Sequence, residues 1–425
     1  MRTIQSTLLL LLVTSGPLAT QAADVIGFRD AGGLARSQEV GLPHSWSATE
    51  NVVWRTPMPG PGTASPIVLG DRIYLTSYTG YGLEPNQGDQ ANLRRQVLCL
   101  SRETGEQIWQ REFEPKLPES KYSGGNNARH GYASSTPTTD GKHLYIFFGK
   151  TGVFCLDLEG KTIWTTDVGS GTHGWGSSNS PVLHENLVII NASVESRRLV
   201  ALDKQTGKEV WTLSGVRGSW NTPLLVPVSA DASELVVSLP QKVIGVDPST
   251  GKQLWECEGI PDGGYVCPSV VAHEGVAYVI GGRRNTALAI KLGGRGDVTD
   301  SHLLWKTSRG SNVSSPVVVN GHLFWIHESR GTAYCLDTKT GEIVYEQRLA
   351  PRPGLVYSSV LAADGKLYCS SQHNGTYVLE PGPEFKLLAH NTFADDESRT
   401  NACPVAHKGQ LLLRTDGYLY CLGTP

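Results

Sequence analysis

The stretch ALDKQTGKEVW, residues 201–211, decides the fold because close copies of it recur along the chain. The copies are CLSRETGEQIW at 99–109, CLDLEGKTIW at 155–164, GVDPSTGKQLW at 245–255 and CLDTKTGEIVY at 335–345. An Asp side chain can accept N–H bonds inside a turn, and Gly adopts positive φ without steric cost. The phrase therefore predicts a hairpin turn followed by a buried aromatic residue, which is a structural element and not an active site.

The clearest copy of the whole unit runs from Ser314 to Ala350. It contains four short runs rich in β-branched and aromatic residues, PVVV, HLFWI, TAYCLD and EIVYEQ. The segments between them, NG, SRG and TKTG, all contain glycine and are typical of tight turns. The unit is predicted to be an antiparallel meander of four strands, which we call A to D.

The beginning of strand A recurs with a period of about 44 residues, which is typical of the blades of a β-propeller. Its markers are Pro66, Pro137, Pro181, Pro223, Pro268, Pro316 and Pro404, with Val360 in the equivalent place of one unit. The sequence therefore predicts an all-β protein, an eight-bladed β-propeller of four-stranded antiparallel blades. The last unit ends at strand C, and ENVVWRTP at 50–57 is predicted to supply its strand D and close the ring. This gives an irregular N-terminal segment at 24–50 and a propeller at 51–425.

One aromatic residue at the end of each repeated phrase is predicted to pack against the next blade. These blade-docking residues are Trp54, Trp109, Trp164, Trp211, Trp255, Trp305 and Tyr345. Two insertions interrupt the period, one at 77–96 between strands B and C of the first blade and one at 291–305 in place of the C–D turn of the fifth. The second contains Arg-Gly-Asp at 295–297, which we interpret as an exposed hairpin.

The N-terminal sequence predicts export. Residues 1–23 contain one Arg, an apolar run from Leu8 to Val13 and small residues at the end, as in a cleavable signal peptide. The first cysteine is Cys99, so no lipid anchor is predicted, and no apolar run is long enough for a transmembrane helix. The net charge of −3 gives no support for binding nucleic acid. The protein is expected in the periplasm or outside the cell. Of its eight cysteines, Cys257 and Cys267 are the best candidates for a disulfide.

These residues resemble the pyrroloquinoline quinone (PQQ) repeat, in which a terminal Trp docks each blade onto the next. The resemblance covers nearly the whole chain and implies the propeller fold. The sequence is similar to two branches of this repeat family. One consists of dehydrogenases that bind PQQ and a metal ion above the channel, and the other of non-catalytic envelope propellers of the BamB type. Many of the dehydrogenases carry adjacent cysteines, which this sequence lacks, and their metal-binding Glu, Asn and Asp have no matching positions here.

The sequence therefore favours an exported, non-enzymatic binding or scaffold protein of the bacterial envelope, closest to the BamB-like propellers, with no cofactor, metal or catalytic residue assigned. The alternative is a PQQ- and calcium-dependent oxidoreductase. The expected partner is an envelope protein or an anionic small ligand, bound by a monomer or within a hetero-complex.

The candidate binding residues lie in loops that share one face of the disc, the D–A and B–C loops, where propellers tend to dock ligands. Arginine and aromatic residues recur there, which suits anionic or aromatic ligands; the alternative is that they brace neighbouring loops. His130 and His173 are also candidates for acid–base or metal-binding roles. The candidates are Arg129, His130, Tyr132, His173, Trp175, Arg217, Trp220, Tyr265, Arg309, Asn312, Arg352, Tyr357, Arg399 and Asn401.

Overall fold

A computed structural model describes residues 23–30, 32–123, 130–261 and 264–424 of this protein. The predicted signal peptide lies almost entirely outside the described residues. Eight sheets form the described part, and seven of them have four strands. The predicted all-β, eight-bladed propeller is thereby confirmed.

The strands of each blade follow the order A to D along the chain. Blade 1 contains Ile67–Leu69, Arg72–Thr79, Arg94–Ser101 and Gln107–Phe113; blade 2 Thr138–Thr139, His143–Phe147, Val153–Asp157 and Thr162–Thr166; blade 3 Val182–His184, Leu187–Ala192, Arg198–Asp203 and Glu209–Ser214; blade 4 Leu224–Pro227, Ser233–Leu239, Lys242–Val246 and Gln253–Glu258. Blade 5 contains Val271–His273, Val276–Gly281, Thr286–Lys291 and Leu303–Thr307; blade 6 Val317–Val319, His322–Ile326, Thr332–Asp337 and Ile343–Arg348; blade 7 Leu361–Ala363, Lys366–Ser370, Thr376–Leu379 and Leu387–Asn391; blade 8 Val405–His407, Gln410–Arg414 and Tyr418–Leu422.

Blade 8 is completed by the N-terminal strand Val52–Pro57, which pairs antiparallel with Tyr418–Leu422. This is the closure predicted from ENVVWRTP. It leaves no unpaired edge between the first and last blades, which is how closed β-architectures avoid uncontrolled strand pairing.

Burial explains why the four strands differ in composition. Strands B and C lie between neighbouring blades, and in blade 3 every residue of Leu187–Ala192 is buried. Strand D lies at the outer edge, where Glu209 and Val210 are exposed and Trp211 is buried. The longest buried apolar runs therefore lie in strands such as B and C, which have both faces covered.

The repeated phrase folds as a turn onto which the preceding blade packs. In blade 3, Asp203 Oδ1 accepts the backbone N–H groups of Gln205 and Thr206 at 3.0 and 2.8 Å. Gly207 has a φ of +69°, and a Cβ there would lie 2.6 Å from the ring of Trp164. Trp164 Nε1 also donates to the carbonyl oxygen of Lys204 at 2.9 Å. Glycine is therefore required for two reasons, its backbone conformation and the ring that covers it.

A closed ring of hydrogen bonds joins the eight A strands around the central channel. In each blade the backbone N–H of the residue two positions before strand A donates to a side chain of the next blade, over 2.9–3.3 Å. We call this ring the inner girdle; its members are Ser65, Thr136, Ser180, Thr222, Ser269, Ser315, Ser359 and Cys403. In blade 5 the member is Ser269, so Val270 takes the place of the proline that follows the girdle residue in most blades. The use of Pro268 as the marker of that blade was therefore wrong.

The blade 5 insertion packs onto blade 4. Its segment Gly296–Asp297 pairs in parallel with Gln253–Glu258, followed by the short helix Thr299–His302. Arg295 forms an ion pair with Glu234 at 2.9 Å. The Arg-Gly-Asp residues are exposed, as predicted, but Gly296 and Asp297 form a fifth strand along the edge of blade 4 and not a hairpin.

The blade 1 insertion includes the 3-10 helix Gln90–Asn92, and a second 3-10 helix, Gly149–Thr151, lies in the B–C loop of blade 2. All eight cysteines are free, so the expected Cys257–Cys267 disulfide is not formed. Cys257 belongs to strand D of blade 4, whereas Cys267 faces the central channel.

The N-terminal segment crosses the face opposite the D–A and B–C loops. Val25 bridges to Val68 in strand A of blade 1, and Arg36 bridges to Ala362 in strand A of blade 7. Between them Arg29 donates to the carbonyl oxygen of Pro316, and Phe28 reaches the central channel. Over the residues that the structure describes, no helix combines the length and the apolar character needed to cross a membrane.

Candidate binding site at the channel entrance

A cavity of about 370 Å³ lies on the channel axis at the face formed by the D–A and B–C loops. Residues of the inner girdle, among them Thr222, Ser269 and Ser315, contribute hydroxyl groups to its lining, and Phe28 of the N-terminal segment also contributes. The D–A loops of every blade junction contribute at least one residue, because all eight converge on the axis. A pocket of this size falls in the range of small-molecule sites.

Aromatic side chains form one wall of the cavity. The rings of Trp175 and Tyr265 meet edge to face with centroids 3.9 Å apart, and Trp175 also contacts Trp220 at 5.5 Å. Trp220 is fixed by its Nε1, which donates to the carbonyl oxygen of Gly176 at 2.8 Å. His173 packs against Trp220 from outside the cavity lining, with centroids 4.8 Å apart. The wall is therefore held by packing from loops of three successive blades.

A polar network faces this wall. Asn312 donates from Nδ2 to the hydroxyl of Tyr265 at 2.6 Å, and its backbone N–H donates to Glu328 Oε2 at 2.9 Å. Glu328 also accepts from the hydroxyl of Ser311 at 3.0 Å. The guanidinium of Arg283 lies over the ring of Tyr265, 5.5 Å from its centroid. Asn312 Oδ1 is buried and accepts no hydrogen bond from any described residue.

His130 is neutral at physiological pH. Burial lowers the pKa of its imidazole to about 4, below the ordinary value of 6.5. Its Nδ1 lies 2.7 Å from the hydroxyl of Ser134, also in the cavity lining. The imidazole therefore brings hydrogen-bonding capacity to the cavity without a charge.

The structure brings half of the predicted binding residues together in the cavity lining. They are His130, Trp175, Trp220, Tyr265, Asn312, Tyr357 and Asn401. Tyr132 lies instead in a buried cluster with Tyr78, Tyr81 and Tyr122 that packs the blade 1 insertion onto the next D–A loop. Arg129 lies outside the described residues.

The remaining predicted arginines do not line the cavity. Arg309 pairs with Glu346 at 3.2 Å and Arg399 with Asp416 at 2.9 Å. Arg352 donates to the carbonyl oxygen of Ser329 at 3.2 Å, and Arg217 is exposed. Arg309, Arg352 and Arg399 therefore brace loops, which is the alternative to ligand binding given in the sequence analysis, and Arg217 belongs to the outer surface.

Two charged lining residues, Arg283 and Glu328, were missed because they belong to B–C loops. The loop sequences GGRRN at 281–285 and HESRG at 327–331 both place charged residues directly after strand B. This recurrence of charge after strand B is the sequence signal that marks them. Across the described ranges, no three His, Cys, Asp or Glu side chains are grouped so that they could hold a metal ion.

Comparison with solved structures supports the fold across the whole ring. BamB from Moraxella catarrhalis superimposes with a TM-score of 0.59 at 14% identity, covering 88% of this chain and 97% of that one. Quinohemoprotein alcohol dehydrogenase from Comamonas testosteroni gives 0.55 at 10% identity, covering 94% and 80%. Quinohemoprotein alcohol dehydrogenase ADHIIG from Pseudomonas putida HK5 gives 0.57 at 11% identity, also covering 94% and 80%. At these identities the likeness concerns the fold alone.

The sequence itself matches a family profile over most of its length. The profile, described as outer membrane protein assembly factor BamB, matches residues 94–291 and 294–382. No match was found among curated proteins. With the eight closed blades and the repeated docking turn, this match shows that the chain belongs to the BamB family of PQQ-like β-propellers.

Proposed function

We propose that this protein is an exported, non-enzymatic binding protein of the bacterial envelope that receives its partner on the face formed by the D–A and B–C loops. The observation that carries this proposal is the axial cavity, where side chains from all the blade junctions converge on one opening. A rigid ring that presents converging loops is well suited to recognition. The similarity to BamB favours a protein partner in the envelope, bound by the monomer or within a larger complex.

Site-specific photo-crosslinking in the envelope tests this proposal. A photoreactive amino acid at Tyr357, in the cavity lining, is compared with one at Lys142, exposed at the A–B turn of blade 2 on the opposite face. We expect a discrete cross-linked product from position 357 that is lost in a Trp175→Ala background. A product from position 142 alone, or from neither position, would overturn the proposal.

The alternative function is a PQQ-dependent oxidoreductase, which the aromatic wall and axial position of the cavity favour. The charged residues fit it poorly. The quinone is a tricarboxylate, whereas Arg283 is the one guanidinium or ammonium group in the described lining, and the carboxylate of Glu328 stands in the same cavity. Three carboxylates would therefore remain largely uncompensated in a partly desolvated site. Calorimetric titration with PQQ, with and without calcium, separates the two functions: tight, metal-dependent binding would restore the oxidoreductase.

A further inference from the structure

The charge of the cavity does not match the anionic ligand that the arginines of the D–A loops suggested. The arginines at 309, 352 and 399 are engaged elsewhere, and among the described residues the lining contains one guanidinium, Arg283, and one carboxylate, Glu328. These two charges cancel. The site therefore favours a ligand without net charge.

The remaining lining combines aromatic rings with many hydrogen-bonding groups. Trp175, Trp220, Tyr265 and Tyr357 supply ring surface, and the girdle supplies hydroxyl groups that both donate and accept. Amide groups of Asn312 and Asn401 lie beside them. A ligand that matches this lining has apolar C–H faces that pack on rings and a rim of hydroxyl groups that pair with amides, hydroxyls and a carboxylate.

One acceptor in this network lacks a donor. Asn312 Oδ1 is buried and receives no hydrogen bond in the described part of the chain, although the Nδ2 and backbone N–H of the same residue are both used. Buried acceptors without a donor are costly and uncommon. A ligand hydroxyl near Asn312 would provide that donor.

We propose that the axial cavity binds a carbohydrate, as one or two uncharged glycosyl units. The cavity volume of about 370 Å³ suits a ligand of this size. This inference rests on the proposed function and specifies its ligand: the binding face would recognise a glycan of the envelope, or a sugar attached to the partner.

Ligand-observed saturation-transfer NMR on the full chain tests this proposal. Glucose, maltose, N-acetylglucosamine and chitobiose are the sugar probes, and a neutral Trp-Gly-Ser-Gly peptide represents the competing ligand class. A ligand of about a dozen heavy atoms at ordinary ligand efficiency binds with a Kd of roughly 1 mM. We expect saturation transfer to at least one sugar, with a Kd in that range.

Substitutions locate the binding. Trp175→Ala, and Tyr357→Ala in case the first variant does not fold, should each weaken the sugar affinity by about tenfold or more. Arg217→Ala is the matched control, exposed on the same face and outside the lining, and should leave the Kd unchanged. Transfer to the peptide and to no sugar, or sugar binding that is equal in the Trp175 and Arg217 variants, would overturn the inference. If no sugar binds while the cross-link from position 357 persists, the ligand class is wrong and the proposed function stands.

Discussion

At the scale of single residues, blade docking consists of a tryptophan ring that covers one glycine. The ring of Trp164 covers Gly207, that of Trp211 covers Gly251, and that of Trp305 covers Gly341. Each glycine has positive φ, so the chain meets a backbone requirement and a packing requirement with the same residue. This is why glycine recurs in every copy of the phrase.

The Gly207→Ala substitution should separate these two requirements. The new Cβ would lie 2.6 Å from the ring of Trp164, whereas at Gly141, which has a φ of +86°, nothing lies within 4 Å. Left-handed backbone strain costs an alanine about 1–2 kcal/mol, and overpacking adds about 1–3 kcal/mol. We expect Gly207→Ala to lower the free energy of unfolding by about 2–5 kcal/mol and Gly141→Ala by about 1–2 kcal/mol, measured by denaturant unfolding. Equal losses would show that the ring contributes nothing.

Glu195 predicts a pH dependence of stability. Burial raises the pKa of its carboxyl group from 4.5 to about 7, and the hydroxyl of Ser177 donates to Oε1. Because the folded state holds the proton more tightly than the unfolded state, this group's contribution is fully present below pH 4.5 and is lost as pH rises through 7. The Glu195→Gln variant should not show this loss of stability. Its free energy of unfolding relative to that of the wild type should therefore increase by about 1–3 kcal/mol between pH 4.5 and pH 8.

The matched variant is Ser177→Ala. The hydroxyl of Ser177 lowers the pKa of Glu195, so removal of this hydroxyl should extend the loss of stability to higher pH. Unfolding curves recorded at several pH values check both expectations. A stability difference between Glu195→Gln and the wild type that does not change with pH would contradict them.

At the scale of blades, the junction between blades 4 and 5 departs from the repeated pattern. The insertion replaces the C–D turn of blade 5, so the preceding tryptophan, Trp255, has no turn to cover. Its Nε1 instead donates to Glu234 Oε2 of its own blade at 2.8 Å, and its ring lies over Gly245. The insertion supplies Arg295 to pair with the same carboxylate. The hydrogen bond of this docking tryptophan is therefore made within blade 4, while its ring still packs in a core cluster with Leu288 and Ile290 of blade 5.

Arg295→Ala should test the importance of this replacement. Glu234 is 1% exposed, whereas Arg295 is 60% exposed. Removal of the arginine leaves a buried carboxylate without its counter-ion, and we expect a loss of about 1–3 kcal/mol. Lys386→Ala is the control: this lysine is 62% exposed, but its partner Glu380 is 49% exposed, so the loss should stay below about 1 kcal/mol. Chemical unfolding measures the loss of stability in both variants. Similar losses would show that the burial of Glu234 gives its ion pair no special importance.

The elements could be predicted from the sequence because the information is local. The turn at Asp203 is built from hydrogen bonds that reach two and three residues along the chain, and strand length and burial follow the apolar pattern. Blade 5 shows the limit of this reasoning. Pro268 resembles the proline markers of the other blades, but the girdle hydrogen bond of blade 5 is donated by the backbone N–H of Ser269. The position of Ser269 in the girdle depends on its acceptor, the hydroxyl of Ser315 in the next blade.

At the scale of the molecule, the composition of the cavity depends on contacts that no single loop encodes. Arg399 is held by Asp416 of the next B–C loop and Arg309 by Glu346 of the following blade, so neither reaches the axis. Arg283 and Phe28 line the cavity from a B–C loop and from the opposite face. The recurrence of arginine in the D–A loops could therefore predict the chemistry of the face but not the lining of its centre.

Ring closure gives the last prediction, because no turn joins the closing strand Val52–Pro57 to the rest of blade 8. Trp54 lies in this strand and packs on Gly105 of blade 1. Trp211 makes the equivalent contact on Gly251, but a C–D turn joins its strand to the rest of blade 3. Tryptophan-to-alanine substitution should cost about 3–5 kcal/mol at either site. Only Trp54→Ala also loosens the closing strand and exposes the edge of Tyr418–Leu422, which then pairs with other chains.

We therefore expect concentration-dependent oligomers for Trp54→Ala and none for Trp211→Ala at equal loss of stability, measured by size-exclusion chromatography with light scattering. If both variants associate alike, association follows from general destabilisation, and the closing strand has no special part in keeping the ring separate from other chains.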